Sequence, residues 1–349
     1  MELKPALSLA PPHTFTCMGT EIVIKNFRSV SDSHISLRFP VTLLVGGNGV
    51  GKTNLLYGIE MLARAADGSL QQALQDEGGY DTNLYVGASR EPFGFGISLG
   101  KNRYEVSVQQ TPDGGIVLEE SSPVSATIRK ILRNCRVYRF DAPIVTVGVV
   151  ESEPPVLASG GQNLVAVLRW MRENSPETYR ALLREVRCLA PYVADFVLTG
   201  EDGNPNSQVL CWKHAETGRV FRYESLGAGV LKFVLLCAAL MQPSPPKLLL
   251  LDDPAAGLNS LAINLLCELM RDSGANGGMV VASTQSSQFV DWFTVDEVLL
   301  VERSEGRGTV ASEPYEDSLV GFEDCNLGWL WESGILAPAP QNRVVPRTR

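Results

Sequence analysis

Histidine is scarce: only His13, His34 and His214 occur, far apart, so neither a Ser-His-Asp set nor a histidine metal centre has candidate residues. The seven cysteines (Cys17, Cys135, Cys188, Cys211, Cys237, Cys267 and Cys325) contain no CxxC or CxxxH pair. That excludes a zinc ribbon or a disulfide framework and predicts a reducing, cytoplasmic location. The longest uninterrupted apolar run, Phe233 to Met241, falls well short of the roughly 20 residues of a membrane helix, so no membrane partner is expected. Glu2, Pro5, Pro11 and Pro12 break up any secretory signal, and residues 1–19 are predicted to be a disordered leader. Basic charge is also short, with 30 Lys and Arg against 39 Asp and Glu and a net charge of −9. General affinity for nucleic acid is thereby disfavoured, which leaves only a local patch. No internal repeat or sustained heptad is present, whereas a hydrophobic content of 44% is ample for a packed core.

The segments EIVIKNF and HISLRF alternate apolar and polar residues as half-buried antiparallel strands do, and VTLLVG is apolar throughout, as a central strand is. KTNLLYGIEMLARAA then places Leu55, Leu56, Ile59, Leu62, Ala63 and Ala66 on one helical face. Residues 67–90 read as a polar connection, and FGFGISLG, YEVSVQQ and GIVLEES as an antiparallel meander. Cys135 to Pro143 reads as a further strand. The stretch Val149 to Gly161, with Pro154, Pro155, Gly160 and Gly161, reads as a linker. Two helices come next, NLVAVLRWMRE and ETYRALLREVRCL, then short strands DFVL, VLCWKH and VFRYE, and the helix GVLKFVLLCAALM. KLLLLD, LAINLLCELMRD, GMVVAS, SQFVDWF and DEVLLVER alternate strand and helix, which predicts parallel βα units. Four regions result: the leader 1–19, a lobe at 20–150, a second lobe at 151–335, and a disordered Pro/Arg-rich tail at 336–349.

The segment Gly46 to Thr53, GGNGVGKT, fits G-x-x-x-x-G-K-[ST] and sits between an apolar strand and an amphipathic helix. Gly46, Gly49 and Gly51 allow backbone N–H groups to close around phosphate oxygens. Lys52 reaches the terminal phosphates of ATP, and Thr53 serves as a ligand of Mg2+. A second acidic site stands in KLLLLDDP, an apolar strand that ends in two acids. Asp252 is the metal-side acid, and Asp253 is placed to polarise an attacking water.

With these motifs in order, the chain resembles the ABC-type ATPase heads of the RecF/SMC/OLD kind, compact AAA-family ATPases of bacteria. The resemblance implies an α/β fold: a P-loop NTPase head with a mixed sheet, an antiparallel β lobe and a helical insert. It implies nucleotide contacts from Asn26, Arg28 and Ser29 in KNFRS, from Asn48 and Asn54 in and beside the phosphate loop, and from Asn259 in GLN at the D-loop. YRFDAP, QNLVAVLRWM and NLGWLWESG also have counterparts in such heads. Gln285, in STQSSQFVD, takes the switch position, and Asp253 and Gln285 stand where the family has Glu and His, which implies slow hydrolysis. The signature segment appears as ESLGAGVLKF, in which either Ser225 and Gly227 or Gly227 and Gly229 fill the two conserved places. Gln109, Gln110 and Gln162 have no decisive context for the Q-loop role, which stays unassigned.

Residues 54–223 read as a meander and two short helices, which excludes a long coiled-coil arm, and the segment after Gln285 is expected to lack a fused Toprim nuclease. Arg129, Lys130, Arg133, Arg136 and Arg139, with Arg169, Arg172, Arg180, Arg184 and Arg187, form a basic cluster diluted by Glu173, Glu177 and Glu185. Such spacing is ordinarily a solvated face; the alternative is a nucleic-acid or partner surface. The expected function is an ATPase that forms a homodimer on ATP and gates a separately encoded, nuclease-like effector in anti-phage defence or DNA maintenance. The alternatives are a nucleotide-sensing scaffold and a RecF-like DNA-repair ATPase.

Overall fold

The computed structural model describes residues 19–88, 91–141, 153–198, 209–304, 308–322 and 324–338. Most of the leader, the start of the expected linker (149–152) and the tail from 339 lie outside the described residues. Strands β1 (Thr20–Phe27) and β2 (Val30–Leu37) pair antiparallel with Ile22 opposite Ile35, so their alternating apolar residues share one buried face. Strand β3 (Val41–Val45) is buried along its whole length. After the glycine loop, α1 (Lys52–Asp67) leads to α2 (Leu70–Asp76) and α3 (Gly79–Asn83). Strands β4 (Phe93–Leu99), β5 (Asn102–Gln110) and β6 (Ile116–Glu120) form the meander, and α4 (Ala126–Leu132) leads to β7 (Val137–Tyr138).

Beyond residue 153 come α5 (Leu164–Asn174) and α6 (Pro176–Leu189), then β8 (Val193–Val197), β9 (Cys211–His214) and β10 (Val220–Arg222) in a separate antiparallel sheet. Next are α7 (Ala228–Met241), β11 (Leu248–Leu251), α8 (Ser260–Ala275), β12 (Met279–Thr284), α9 (Ser287–Val290), β13 (Val298–Ser304), β14 (Gly308–Ser312) and α10 (Leu327–Glu332). Among the described residues the large sheet has eleven strands in the order β6-β5-β4-β1-β2-β14-β13-β3-β12-β11-β7. From β13 to β7 the neighbours are parallel, and from β6 to β14 they are antiparallel. The mixed sheet with an antiparallel lobe is therefore observed, and strands from either side of residue 150 build it together.

The parallel strands are apolar on both faces because both are covered. Leu43, Val45, Leu249, Leu251, Val280 and Ala282 face the layer of α5 to α8, while Leu44, Leu248, Leu250 and Val281 face α1 and α4. Helix α7 is apolar all round and packs against α5, α6 and α8, and its lone buried charge is Lys232.

Several elements differ from expectation. The polar stretch 67–90 contains α2, whose Leu70 and Leu74 are buried one turn apart, and α3; both are too short to show a helical period. Helix α4 and strand β14 carry no clear mark in the sequence, and of the strand expected at Cys135 to Pro143 only Val137 and Tyr138 pair, with β11, among the described residues, 142 and 143 lying outside them. The packed chain also continues past 335: Leu336 is buried, and Pro338 bridges to Pro314. Among the described residues, no helix is long and apolar enough to cross a membrane.

Candidate active site

The C-terminal ends of β3, β11, β12 and β7 converge, and those strand ends position the chemistry-bearing residues. Gly46 N–H donates to the Thr284 carbonyl, tying the phosphate loop to the end of β12. Gly49 and Gly51 have φ of 77° and 106°, where a side chain is strained, and a Cβ at Gly51 would strike the Thr309 and Ser29 side chains. Lys52 Nζ donates to the carbonyls of Gly46 and Gly47 at 2.9 and 2.8 Å. Burial holds its ammonium below the ordinary lysine pKa, against the opposing pull of Asp253 and Asp252.

Thr53 Oγ1 donates to Asp252 Oδ2 at 2.9 Å, joining the phosphate loop to the end of β11. Asp252 is buried, accepts from Ser283 Oγ at 2.6 Å, and has its backbone N–H fixed by the Tyr138 carbonyl at 2.9 Å. The Arg139 guanidinium stands 3.6 Å from Asp252 Oδ2. Asp253 has φ 45°, a left-handed conformation that aspartate tolerates better than most side chains. Its N–H donates to Ser283 Oγ, its carbonyl accepts from Lys232 Nζ at 2.9 Å, and Gln285 Nε2 donates to its Oδ2 at 3.3 Å. Its buried Oδ1 has no hydrogen-bond partner among the described residues, so it retains acceptor capacity. Burial raises the Asp253 carboxyl pKa, with Lys232 and Lys52 pulling the other way.

The other sequence-marked residues divide into groups. Ser29 sits beside the loop, 2.7 Å from Thr309 Oγ1, and accepts from Asn54 Nδ2 at 2.8 Å. Asn26 and Arg28 adopt left-handed φ of 51° and 50°; Asn26 bonds the Pro92 carbonyl, and Arg28 bonds Glu77 and Asn83 while lying over the Phe27 and Tyr57 rings. Asn48 is exposed in the loop. Asn259 caps α8 through Ala262 N–H, and Ser225, Gly227 and Gly229 lie at the start of α7. Sequence reasoning missed Lys232, Ser283 and Thr309, and it counted Arg139 only as part of a basic run. Lys232 carried a signal, since a single lysine in an otherwise apolar helix has to find a buried partner.

Part of the basic cluster is engaged within the chain. Arg129 bonds the Ala66 carbonyl, Arg169 that of Leu198, Arg172 that of Phe196, and Arg187 those of Val193 and Ala194. Arg180 and Arg184 remain exposed on α6.

Hard oxygen donors from Thr53 and Asp252 suit magnesium. Among the described residues no cluster of three or more His, Cys, Asp or Glu could hold a metal without help. That is the donor set of an ion which keeps its waters and takes phosphate oxygens.

Residues 18–91 match the family model described as AAA ATPase domain. Residues 167–291 match the one described as AAA domain, putative AbiEii toxin, Type IV TA system. No curated protein matches the sequence. Among solved structures, an Smc head bound to the C-terminal winged-helix domain of ScpA is similar at 15% identity and a TM-score of 0.58, over 85% of this chain and 98% of that one. An Smc head with an extended coiled coil, bound to the C-terminal domain of ScpA derived from Pyrococcus furiosus, is similar at 13% identity and a TM-score of 0.53, over 87% and 98%. The matched segments carry the phosphate loop and the acidic strand, and the fold is that of the Smc head. Two AAA-family models thus match separate parts of one chain whose overall fold is similar to that of an Smc head.

Proposed function

We propose that this chain binds Mg2+ and ATP at the phosphate loop, pairs with a second copy across two nucleotides, hydrolyses slowly and passes the closed state to a separate effector. The observation that carries this reading is the contact between Thr53 and Asp252, which brings two motifs far apart in sequence to hydrogen-bond distance. Lys52 exchanges its two loop carbonyls for phosphate oxygens, a stronger acceptor for an ammonium than a peptide oxygen. Thr53 and Asp252 hold the ion, which when bound neutralises charge on the β- and γ-phosphates. Asp253 presents Oδ1 to the attacking water and accepts its proton, while Gln285 keeps the other carboxylate oxygen in place. The short aspartate and the neutral amide support a slow rate. Substituting Thr53→Ala and Asp252→Asn separately tests this: magnesium-dependent ATP turnover falls to background in both. Turnover unchanged in Asp252→Asn contradicts the reading.

Pairing across the ESLGAG segment rests on the Smc-like fold and the motif order. The effector is supported by the relatives' own descriptions, one naming a toxin of a toxin–antitoxin system and others an Smc head bound to ScpA. Its nuclease character and a role in anti-phage defence or DNA maintenance are the class this reading carries. The scaffold alternative gains from Gln285, whose amide already engages Asp253; a turnover number indistinguishable from buffer, with intact ATP binding, decides for it.

A further inference from the structure

Ser225 lies in a 3-10 turn, Tyr223–Ser225, between β10 and α7. Its hydroxyl is engaged twice: Trp212 Nε1 donates to Oγ at 2.9 Å, and Oγ donates to the Arg222 carbonyl at 2.6 Å. Trp212, on β9, is only 5% exposed. Its ring stacks on Phe221 at 5.0 Å and meets Tyr192 edge-on at 5.5 Å and His214 at 6.0 Å. The small sheet thus delivers one polar atom, the indole N–H, from an aromatic cluster to the turn that opens α7.

The two nearby glycines answer different demands. A Cβ on Gly229 would stand 2.9 Å from the Gly257 carbonyl, so close packing on the D-loop turn accounts for it. A Cβ on Gly227 would meet nothing within 4 Å, so among the described residues no contact calls for glycine there.

We propose that Trp212 is a positioning residue for Ser225, and that Ser225 with Gly227, rather than Gly229, forms the pair that meets the nucleotide of the second copy. This rests on the two-copy reading above. A serine hydroxyl has one proton, and here the Arg222 carbonyl takes it. A phosphate oxygen is the stronger acceptor, and rotation about the Cβ–Oγ bond redirects the proton without moving a heavy atom. Throughout that rotation the indole N–H holds Oγ in place, and a bond donated into the oxygen strengthens the one it donates outward.

Trp212→Phe keeps an aromatic ring in the stack and removes the donor together with one ring of the indole. The experiment measures the dimer dissociation constant by sedimentation with Mg2+ and ATPγS for Trp212→Phe, Ser225→Ala and the double variant. It also measures the nucleotide affinity of the monomer at low protein concentration. Trp212→Phe weakens the dimer about five- to tenfold, Ser225→Ala at least as much, and the double variant no more than Ser225→Ala. Monomer nucleotide affinity stays at the wild-type value in both single variants, while the urea midpoint falls in each, because an internal hydrogen bond is lost and, in Trp212→Phe, buried aromatic volume with it. In indole nitrogen spectra, Ser225→Ala shifts the signal that Trp212→Phe removes. Wild-type dimerisation by Trp212→Phe, or additive effects in the double variant, overturns the role of Trp212 and leaves the two-copy reading standing. A wild-type chain that stays monomeric with ATPγS overturns both.

Discussion

At the scale of single residues, the site depends on charges that neighbouring elements hold in place. Lys52→Ala removes the only side chain of the loop that brings a positive charge to the terminal phosphates, and equilibrium binding of a fluorescent ATP analogue should fall at least a hundredfold. Asp253→Asn keeps shape but cannot accept a proton, so turnover should drop by two to three orders of magnitude while nucleotide binding persists. Asp253→Glu reaches one methylene further and should restore or exceed the wild-type rate in the same steady-state assay. Lys52, Thr53 and Asp252 were legible in sequence because a glycine loop and a strand end fix their surroundings locally. Lys232, Ser283 and Arg139 were not, since each reaches the site from another element, Lys232 across the helix layer to the Asp253 carbonyl and Arg139 from the edge strand. For the Q-loop role the sequence offers glutamines without context. Beside the acidic strand, β7 runs instead into Arg139, which pairs with Asp141.

At the scale of elements, alternation in β1, β2 and β4 to β6 and unbroken apolar runs in β3 and β11 stated both type and burial, because a strand's period of two maps directly onto its faces. Helices α2, α3 and α4 fell below the length at which a 3.6-residue period shows, and β14 is a short run of small residues recruited by pairing with β13 and β2. The juncture of α7 with the turn at Gly257 offers a test of packing at this scale. Gly229→Ala places a methyl against the Gly257 carbonyl and should destabilise the fold by about 1–3 kcal/mol, read as a lowered urea midpoint with unchanged slope. Gly227→Ala, in open space, should leave that midpoint within about 0.5 kcal/mol of wild type.

At the scale of the whole molecule, motif order was readable and strand order was not. Nothing local announces that β13 enters between β3 and β14, or that the antiparallel lobe continues the same sheet, because strand neighbours are fixed by contacts between segments far apart in sequence. Electrostatics obey the same logic: arginines that look like one basic field in sequence are divided by the fold, with Arg169, Arg172 and Arg187 bonding carbonyls in and beside β8, Arg129 bonding the Ala66 carbonyl, Arg139 pairing with Asp141, and Arg133, Arg180 and Arg184 exposed. Charge reversal at Arg180 and Arg184 should weaken capture of the proposed effector from the native host without changing ATP affinity, because the proposed docking surface lies away from the phosphate loop. The central claim, an ATP-driven two-copy switch, is tested most directly by sedimentation of the purified chain with and without Mg2+ and ATP. The account predicts a monomer without nucleotide, a dimer with it, a longer-lived dimer for Asp253→Asn and a monomer under all conditions for Lys52→Ala. A chain whose mass is the same with and without Mg2+ and ATP, in the wild type and in Asp253→Asn alike, contradicts it.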